Sequence, residues 1–348
     1  MMKDIYSSLL ALAGSFLSGV LLTKFSIFLS RKYRILAHPD QRSSHETPTP
    51  SIGGVGIGVP VVVFLVGAFI IGKHNLNFFA AALGGGLLAF ITGLIDDLFG
   101  MKVAVKFVLQ ITCAVAAVGF GWSIPEITFP FLGTLQLGSS LAAAATILWI
   151  VFIMNAFNFM DGMDGQAGVF ALIVLLCMVL TVFMGGRVSF VSLLLLVILG
   201  ATAGFLVFNI APAKTFLGDC GSQFIGYILA FLSVYIVAEH RGVVSITAFN
   251  ILVLPFVYDV IYTIICRIRR RENIFRPHRS HLYQRLMIVG MSHGRVLKRT
   301  CATFLMCALA FLVYVLSDSD VLQLISLIFA VCVMIFYTLY VIWEECTT

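Results

Sequence analysis

The stretch ILWIVFIMNAFNFMDGMDGQAGVFALIVLLCMVL, residues 147–180, decides the fold. Two nearly pure apolar runs flank a polar knot. Within the knot Asn155, Asn158, Asp161 and Asp164 follow one another at intervals of three, and Gly162 and Gly165 punctuate them. Apolar runs of this kind read as membrane helices, and the knot reads as the place where two of them meet at one membrane surface. Carboxylates at such a boundary are costly and mark function.

The rest of the chain agrees. Its 348 residues are 60% hydrophobic and only 11% charged, against about 25% charged in soluble domains. Eleven apolar segments recur, at about 5–29, 52–72, 77–95, 103–121, 140–157, 167–185, 188–208, 222–240, 244–266, 297–317 and 321–343. The expected fold is an all-α polytopic membrane protein of about 11 transmembrane helices, forming a single domain over 1–348. No alternation of the transmembrane-barrel kind is present. The first segment reads as an uncleaved span, because it has neither a basic flank nor a small-residue cleavage site.

Charge sets the orientation. With the N-terminus outside, all but four of the 22 Lys and Arg fall inside, the exceptions being Lys3, Lys73, Arg187 and Arg241. This satisfies the positive-inside rule and places the N-terminus in the periplasm and the C-terminus in the cytoplasm. The net charge of +6 is therefore an orientation signal, and no nucleic-acid partner is expected. Trp122 and Trp343 at span ends read as interfacial anchors. Residues 122–139, WSIPEITFPFLGTLQLGS, alternate around a Pro/Gly turn and predict a small periplasmic β-hairpin. The eight cysteines show no CxxC spacing and read as small helix residues.

On this topology the chemistry-bearing residues collect on one face, in inner loops 30–51, 95–102, 155–166, 209–221 and 267–296. Asp96 and Asp97 are adjacent, so on a helix they point about 100° apart and have separate tasks. Asp161 and Asp164, at i and i+3, lie on one side of a helical turn. Asp219 sits at a helix start, where a plain N-cap is an even alternative. Lys102, Lys106 and Lys214 lie beside these acids as ion-pair partners or phosphate contacts. The last inner loop offers His278, Arg279, His281 and Arg285. Their H-x-x-H spacing lacks further zinc ligands nearby and suits a phosphate or nucleotide better, with a lipid-binding basic patch as the plainer reading. Acids of this kind suit Mg²⁺ held by one or two carboxylates plus phosphates. A site at the inner surface, where a lipid head group and a cytoplasmic metabolite meet, favours metal-assisted phosphoryl transfer onto a lipid carrier.

Five strings in order, PDQRSSHETPTPSIGGVGI, GLIDDLFGMKVAVKFVLQ, NAFNFMDGMDG, KTFLGDCGSQFIG and RPHRSHLYQRL, cover residues 39–286. In them the chain resembles the polyprenyl-phosphate N-acetylhexosamine-1-phosphate transferases, whose superfamily includes the muramoyl-pentapeptide transferase of peptidoglycan synthesis. The resemblance implies a bacterial inner-membrane enzyme with a cytoplasmic active site. It would transfer an N-acetylhexosamine-1-phosphate from a UDP-sugar to undecaprenyl phosphate, releasing UMP, with Mg²⁺ or Mn²⁺ as cofactor. It further implies catalytic roles for Asp96, Asp97, Asp161 and Asp164, and metal ligation by Asp219, Asp97 and Asp161. Asn158, Lys106, Lys214, His278, Arg279, His281, Arg42 and His45 would bind substrate. A homodimer is compatible with it.

The last inner loop lacks the consecutive histidines of muramoyl-pentapeptide transferases and looks like the branch that initiates O-antigen, lipopolysaccharide or related surface glycans. That branch uses GlcNAc or 6-deoxy N-acetylhexosamines such as FucNAc and QuiNAc. Two other classes fit less well. A cation-coupled transporter would hold its acids near the bilayer midplane, and a lipid-phosphate hydrolase would need a water at the same metal. Asp259, an acid inside a span near its inner end, is either structural or part of a lipid groove.

Overall fold

A computed structural model describes residues 2–37, 47–72, 75–184, 189–239, 244–273, 276 and 278–347. Among these, nine helices are long and apolar enough to cross a membrane, and two shorter apolar helices join them. The two shorter ones are α2 (Val55–Ile71) and α5 (Val103–Gly119). Together they account for the eleven apolar segments of the sequence.

The remaining elements follow in chain order. Helix α1 (Met2–Tyr33) precedes α2, with a two-residue pairing of β1 (Leu36–Ala37) and β2 (Thr49–Pro50) between them. A span from Leu76 to Phe99 consists of α3 (Leu76–Phe79), a π-helical stretch Ala80–Gly85 and α4 (Gly86–Phe99). After α5 come β3 (Glu126–Phe129) and β4 (Gly133–Gln136), then α6 (Ser139–Met160), α7 (Gln166–Phe183), α8 (Phe190–Asn209), α9 (Gly218–Glu239) and α10 (Ile246–Arg269). A short α11 (Leu282–Ile288) leads to α12 (His293–Leu316) and α13 (Asp320–Thr347).

Helix α9 is the axis of the bundle. Its most apolar window is 94% buried, against 11% for α1 at the periphery. Burial on every side demands close helix approach, and glycines supply it. A Cβ on Gly221 would lie 2.8 Å from Gly54 Cα, and one on Gly226 would lie 2.8 Å from Met154 Cα. A hydroxyl from α9 supports the π-helical stretch: Tyr227 donates to the Ala81 carbonyl at 2.8 Å, a hydrogen bond to irregular backbone inside an apolar bundle. A Cβ on Gly85 would sit 2.0 Å from that same hydroxyl.

The hairpin forms as the alternation predicts, with Ile127 opposite Leu135 and Thr128 opposite Thr134. Two expectations are corrected. Trp122 is no interfacial anchor: it is buried, with its ring 4.7 Å from that of Tyr235 and 6.4 Å from that of Phe78. Trp343 is exposed, as an anchor should be. The last inner loop contains helix α11, and α12 begins at His293, four residues before the apolar run. All eight cysteines are free, so none is tied into a disulfide.

Candidate functional site

One end of the bundle gathers the polar motifs, and the junction of α4 with α9 organises it. Gly100 (φ +72°) ends α4, and Gly218 (φ +71°) turns the chain into α9. Asp97 then reaches across to the start of α9. Its Oδ1 accepts from the Asp219 amide and its Oδ2 from the Cys220 amide, both at 2.9 Å. A helix start leaves such amides unsatisfied, and here another helix supplies the cap. Asp219 is therefore not the N-cap that its position allowed. Its own carboxylate is free to face inward.

There it meets two partners. Lys106 Nζ lies 3.1 Å from Asp219 Oδ2 and also pairs with Asp96. The Asn158 side-chain amide donates to Asp219 Oδ1 and, at 3.2 Å, lies against Ser222 Oγ. Asp96 and Asp97 thus do different things, as their angular separation predicts. One carboxylate pairs a lysine and the other caps a helix.

The knot at 155–165 is not a continuous helical turn. Helix α6 stops at Met160, and a turn carries the chain to α7. The Gly165 amide donates to Asn209 Oδ1 at 3.1 Å, with φ +76° at that glycine. Asp164 accepts from the Ala213 amide at 3.0 Å through Oδ2, and His293 Nδ1 stands 3.2 Å from its Oδ1. Gly162 lies under Tyr283, so closely that a Cβ there would be 2.1 Å from the phenolic oxygen. Tyr283 in turn donates to the Phe159 carbonyl at 3.2 Å. The turn is thus clamped between the 209–215 loop and α11.

These elements enclose a cavity of about 330 Å³, a size suited to a small ligand. Asp97, Asn158, Asp161, Asp164 and Asp219 all line it, together with Phe216, Gln284 and His293. Burial, reinforced by the charges of Asp219 and Asp97, holds the Asp161 carboxyl well above the usual carboxylate range. A cleft with this excess of carboxylate favours a cation. Among the described residues no three His, Cys, Asp or Glu side chains converge to enclose an ion by themselves. The donor set still fits Mg²⁺, which binds through one or two carboxylates and completes its shell with waters and substrate phosphates.

The other expected residues are placed elsewhere. Lys214 is exposed and does not line the cavity. His281 is buried, with Nδ1 3.0 Å from Asp259 Oδ1, and Asp259 also accepts from the Leu282 amide at 3.0 Å. Asp259 is thus structural: it fixes the entry to α11. His278 lies 2.9 Å from Ser280 Oγ, and burial, with His281 and Arg267 nearby, pushes it down to about 4. It is neutral at pH 7 and supplies no cation. Arg279 is half-buried and lies off the cavity wall. Arg42 and His45 fall outside the described residues.

His281 consequently braces the loop. Its replacement by alanine removes the imidazole from buried Asp259, which keeps only the Leu282 amide and the Thr263 hydroxyl, a loss that costs roughly 1–3 kcal/mol. The expected result is a lower melting temperature with donor KM little changed; a raised KM at unchanged melting temperature would restore it to the binding surface.

His293 and Gln284 were not singled out by sequence, although both line the cavity. The signal for His293 is GMSHGR, a Ser at the N-cap position followed by the first residue of a helix. Its imidazole lines the cavity beside Asp164. His293→Ala is expected to raise the donor KM about tenfold, the loss of roughly one polar contact, at unchanged melting temperature; unaltered kinetics would remove it from the site.

The chain matches the family described as Glycosyl transferase family 4 over residues 79–237, a segment that contains all five cavity-end carboxylates. It is 33% identical over 286 residues to a Bacillus subtilis (strain 168) protein named "Probable undecaprenyl-phosphate N-acetylglucosaminyl 1-phosphate transferase", covering 80% of this chain and 77% of that one. It is 32% identical over 318 residues to the decaprenyl-phosphate N-acetylglucosaminephosphotransferase of Mycobacterium leprae (strain TN), covering 82% and 79%. It is 26% identical over 279 residues to the undecaprenyl-phosphate alpha-N-acetylglucosaminyl 1-phosphate transferase of Thermotoga maritima, covering 78% of each.

Proposed function

We propose that this chain, which belongs to glycosyl transferase family 4 and is a multi-pass membrane glycosyl-1-phosphate transferase, transfers N-acetylglucosamine-1-phosphate from UDP-N-acetylglucosamine to undecaprenyl phosphate. The observation that carries this reading is the cavity where Asp97, Asn158, Asp161 and Asp219 meet beside Lys106. Relatives from three organisms are named for N-acetylglucosamine transfer to a polyprenyl phosphate, which supports this donor over the 6-deoxy sugars. The RPHRSHLYQRL loop supports a surface-glycan product, O-antigen or its equivalent, over the peptidoglycan precursor. The Lys and Arg distribution supports placing the cavity on the cytoplasmic face of the inner membrane.

The acceptor phosphate is already a competent nucleophile, so the protein's work is positioning and charge neutralisation. The lipid phosphate oxygen attacks the β-phosphorus of the donor. The bond from that phosphorus to the bridging oxygen breaks, and UMP leaves with the bonding pair. Lys106, anchored by Asp96 and Asp219, would neutralise phosphate charge. Asp161 and Asp219 would hold Mg²⁺, or Mn²⁺, which supplies Lewis-acid stabilisation of phosphate oxygens when bound. Asn158 fixes the Asp219 carboxylate. Asp97 shapes the site through its cap on α9, and Asp164 through the 209–215 loop and His293.

The test is UMP release by purified protein in detergent, with undecaprenyl phosphate and a panel of UDP-N-acetylhexosamines. Release is expected with UDP-N-acetylglucosamine, to require lipid, to stop with EDTA and to return with Mg²⁺. A clear preference for a 6-deoxy sugar would overturn the donor, and UMP release without lipid would point to a hydrolase.

A further inference from the structure

Beneath the charged groups of the site lies a second polar layer, built by the same three helices. Lys106, Asn158 and Asp219 meet at the end of the bundle. Gln110, Asn155 and Gln223 lie four, three and four residues from them, one turn deeper on α5, α6 and α9. These three amides join directly. Asn155 Nδ2 donates to Gln110 Oε1 at 2.7 Å, and Gln110 Nε2 donates to Gln223 Oε1 at 2.9 Å. Asn155 Nδ2 also lies 2.8 Å from the Val151 carbonyl. Gln110 and Gln223 are each 1% exposed, and Gln223 Nε2 is buried without a hydrogen-bond partner.

Leucines at these three positions would hold an apolar bundle together without burying polar groups or leaving one unsatisfied. Amides differ in being directional. A leucine layer tolerates rotation of a helix about its axis, whereas a chain of hydrogen bonds admits few arrangements. The rotation fixed at Gln110 is also the rotation of Lys106 one turn away, and likewise for Asn155 with Asn158 and Gln223 with Asp219.

We propose that Gln110, Asn155 and Gln223 are positioning residues, which lock the rotation of α5, α6 and α9 so that Lys106 and Asn158 stay on Asp219. The inference rests on the proposed transferase reading for its kinetic consequence, but not for its geometry. It also accounts for the first asparagine of NAFN, which is not among the residues lining the site cavity: Asn155 holds the layer that aims Asn158.

The test compares wild type with Gln110→Leu and with the triple variant Gln110→Leu, Asn155→Leu, Gln223→Leu. Single replacement strands partners and can cost stability; triple replacement removes all partners together and keeps the fold. The triple variant is expected to retain its melting temperature while kcat falls about tenfold and donor KM stays within about twofold. Trinitrobenzenesulfonate labelling, read by mass spectrometry on the intact membrane protein, should rise about fivefold at Lys106 as its ion pairs loosen, with exposed Lys214 unchanged as internal standard. Wild-type turnover and wild-type Lys106 labelling in the triple variant would overturn the proposal. So would a loss of turnover that merely follows a fall in folded protein. The labelling needs no turnover, so if wild type transfers no sugar phosphate the transferase reading fails while the positioning layer is still decided.

Discussion

Asp219→Asn is expected to lower sugar-1-phosphate transfer by roughly 10³-fold, the scale of losing a principal electrostatic group in an enclosed site, while insertion and melting temperature stay near wild type. The geometry explains the separation of the two effects. The backbone of Asp219 is held by Asp97 through an amide hydrogen bond that the substitution does not touch. Only the side chain changes, and that side chain is where Lys106 and Asn158 converge. Asparagine keeps the volume, removes the charge that pairs Lys106, and turns one acceptor into a donor. Lys106 would remain with Asp96 alone. Transfer at near wild-type rate in the folded variant would remove Asp219 from the centre of the mechanism.

Gly218→Ala is expected to be as damaging by a different route, through the fold. Gly218 has φ +71°, and a Cβ there would lie 2.0 Å from the Ser51 carbonyl oxygen and 2.8 and 3.0 Å from the two Asp97 oxygens. The left-handed backbone alone costs an alanine about 1–2 kcal/mol. The Ser51 carbonyl is backbone and cannot swing aside, and displacing Asp97 strands the two α9 amides it caps, a further cost of roughly 1–3 kcal/mol. Gly100→Ala is the control for positive φ without a close contact. Gly100 has φ +72°, but nothing lies within 4 Å of a Cβ built there. It should lose only the backbone cost, and thermal unfolding in detergent should place Gly218→Ala well below it. Equal melting temperatures would mean that the Asp97–Gly218 corner is not the tight junction described.

What was legible in the sequence followed from local rules. Apolar length located the spans, and alternation about a Pro/Gly turn located the hairpin. The cost of carboxylates at helix ends picked out Asp96, Asp97, Asp161, Asp164 and Asp219; the last four line one cavity, whereas Asp96 pairs Lys106 beside it. What was illegible depended on partners far along the chain. Nothing near Asp97 shows that it caps a helix beginning at Gly218. Nothing in RPHRSHLYQRL shows that His281 is taken by Asp259 from α10. Trp122 looked like an interfacial residue because its burial against Phe78 and Tyr235 is a tertiary event. Period-three spacing made Asp161 and Asp164 look helical, although the helix ends at Met160 and tertiary hydrogen bonds shape the turn.

In the proposed reaction a phosphate bearing the sugar moves to the lipid. This transfer is tested most directly with UDP-N-acetylglucosamine carrying radioactive phosphorus in its β-phosphate, supplied with undecaprenyl phosphate and Mg²⁺ to the purified protein. The predicted result is label in the organic phase as lipid diphosphate sugar, with unlabelled UMP in the water phase and roughly 10³-fold less transfer by Asp219→Asn. Label that stays in the water phase, as sugar-1-phosphate or as UDP, would contradict the account.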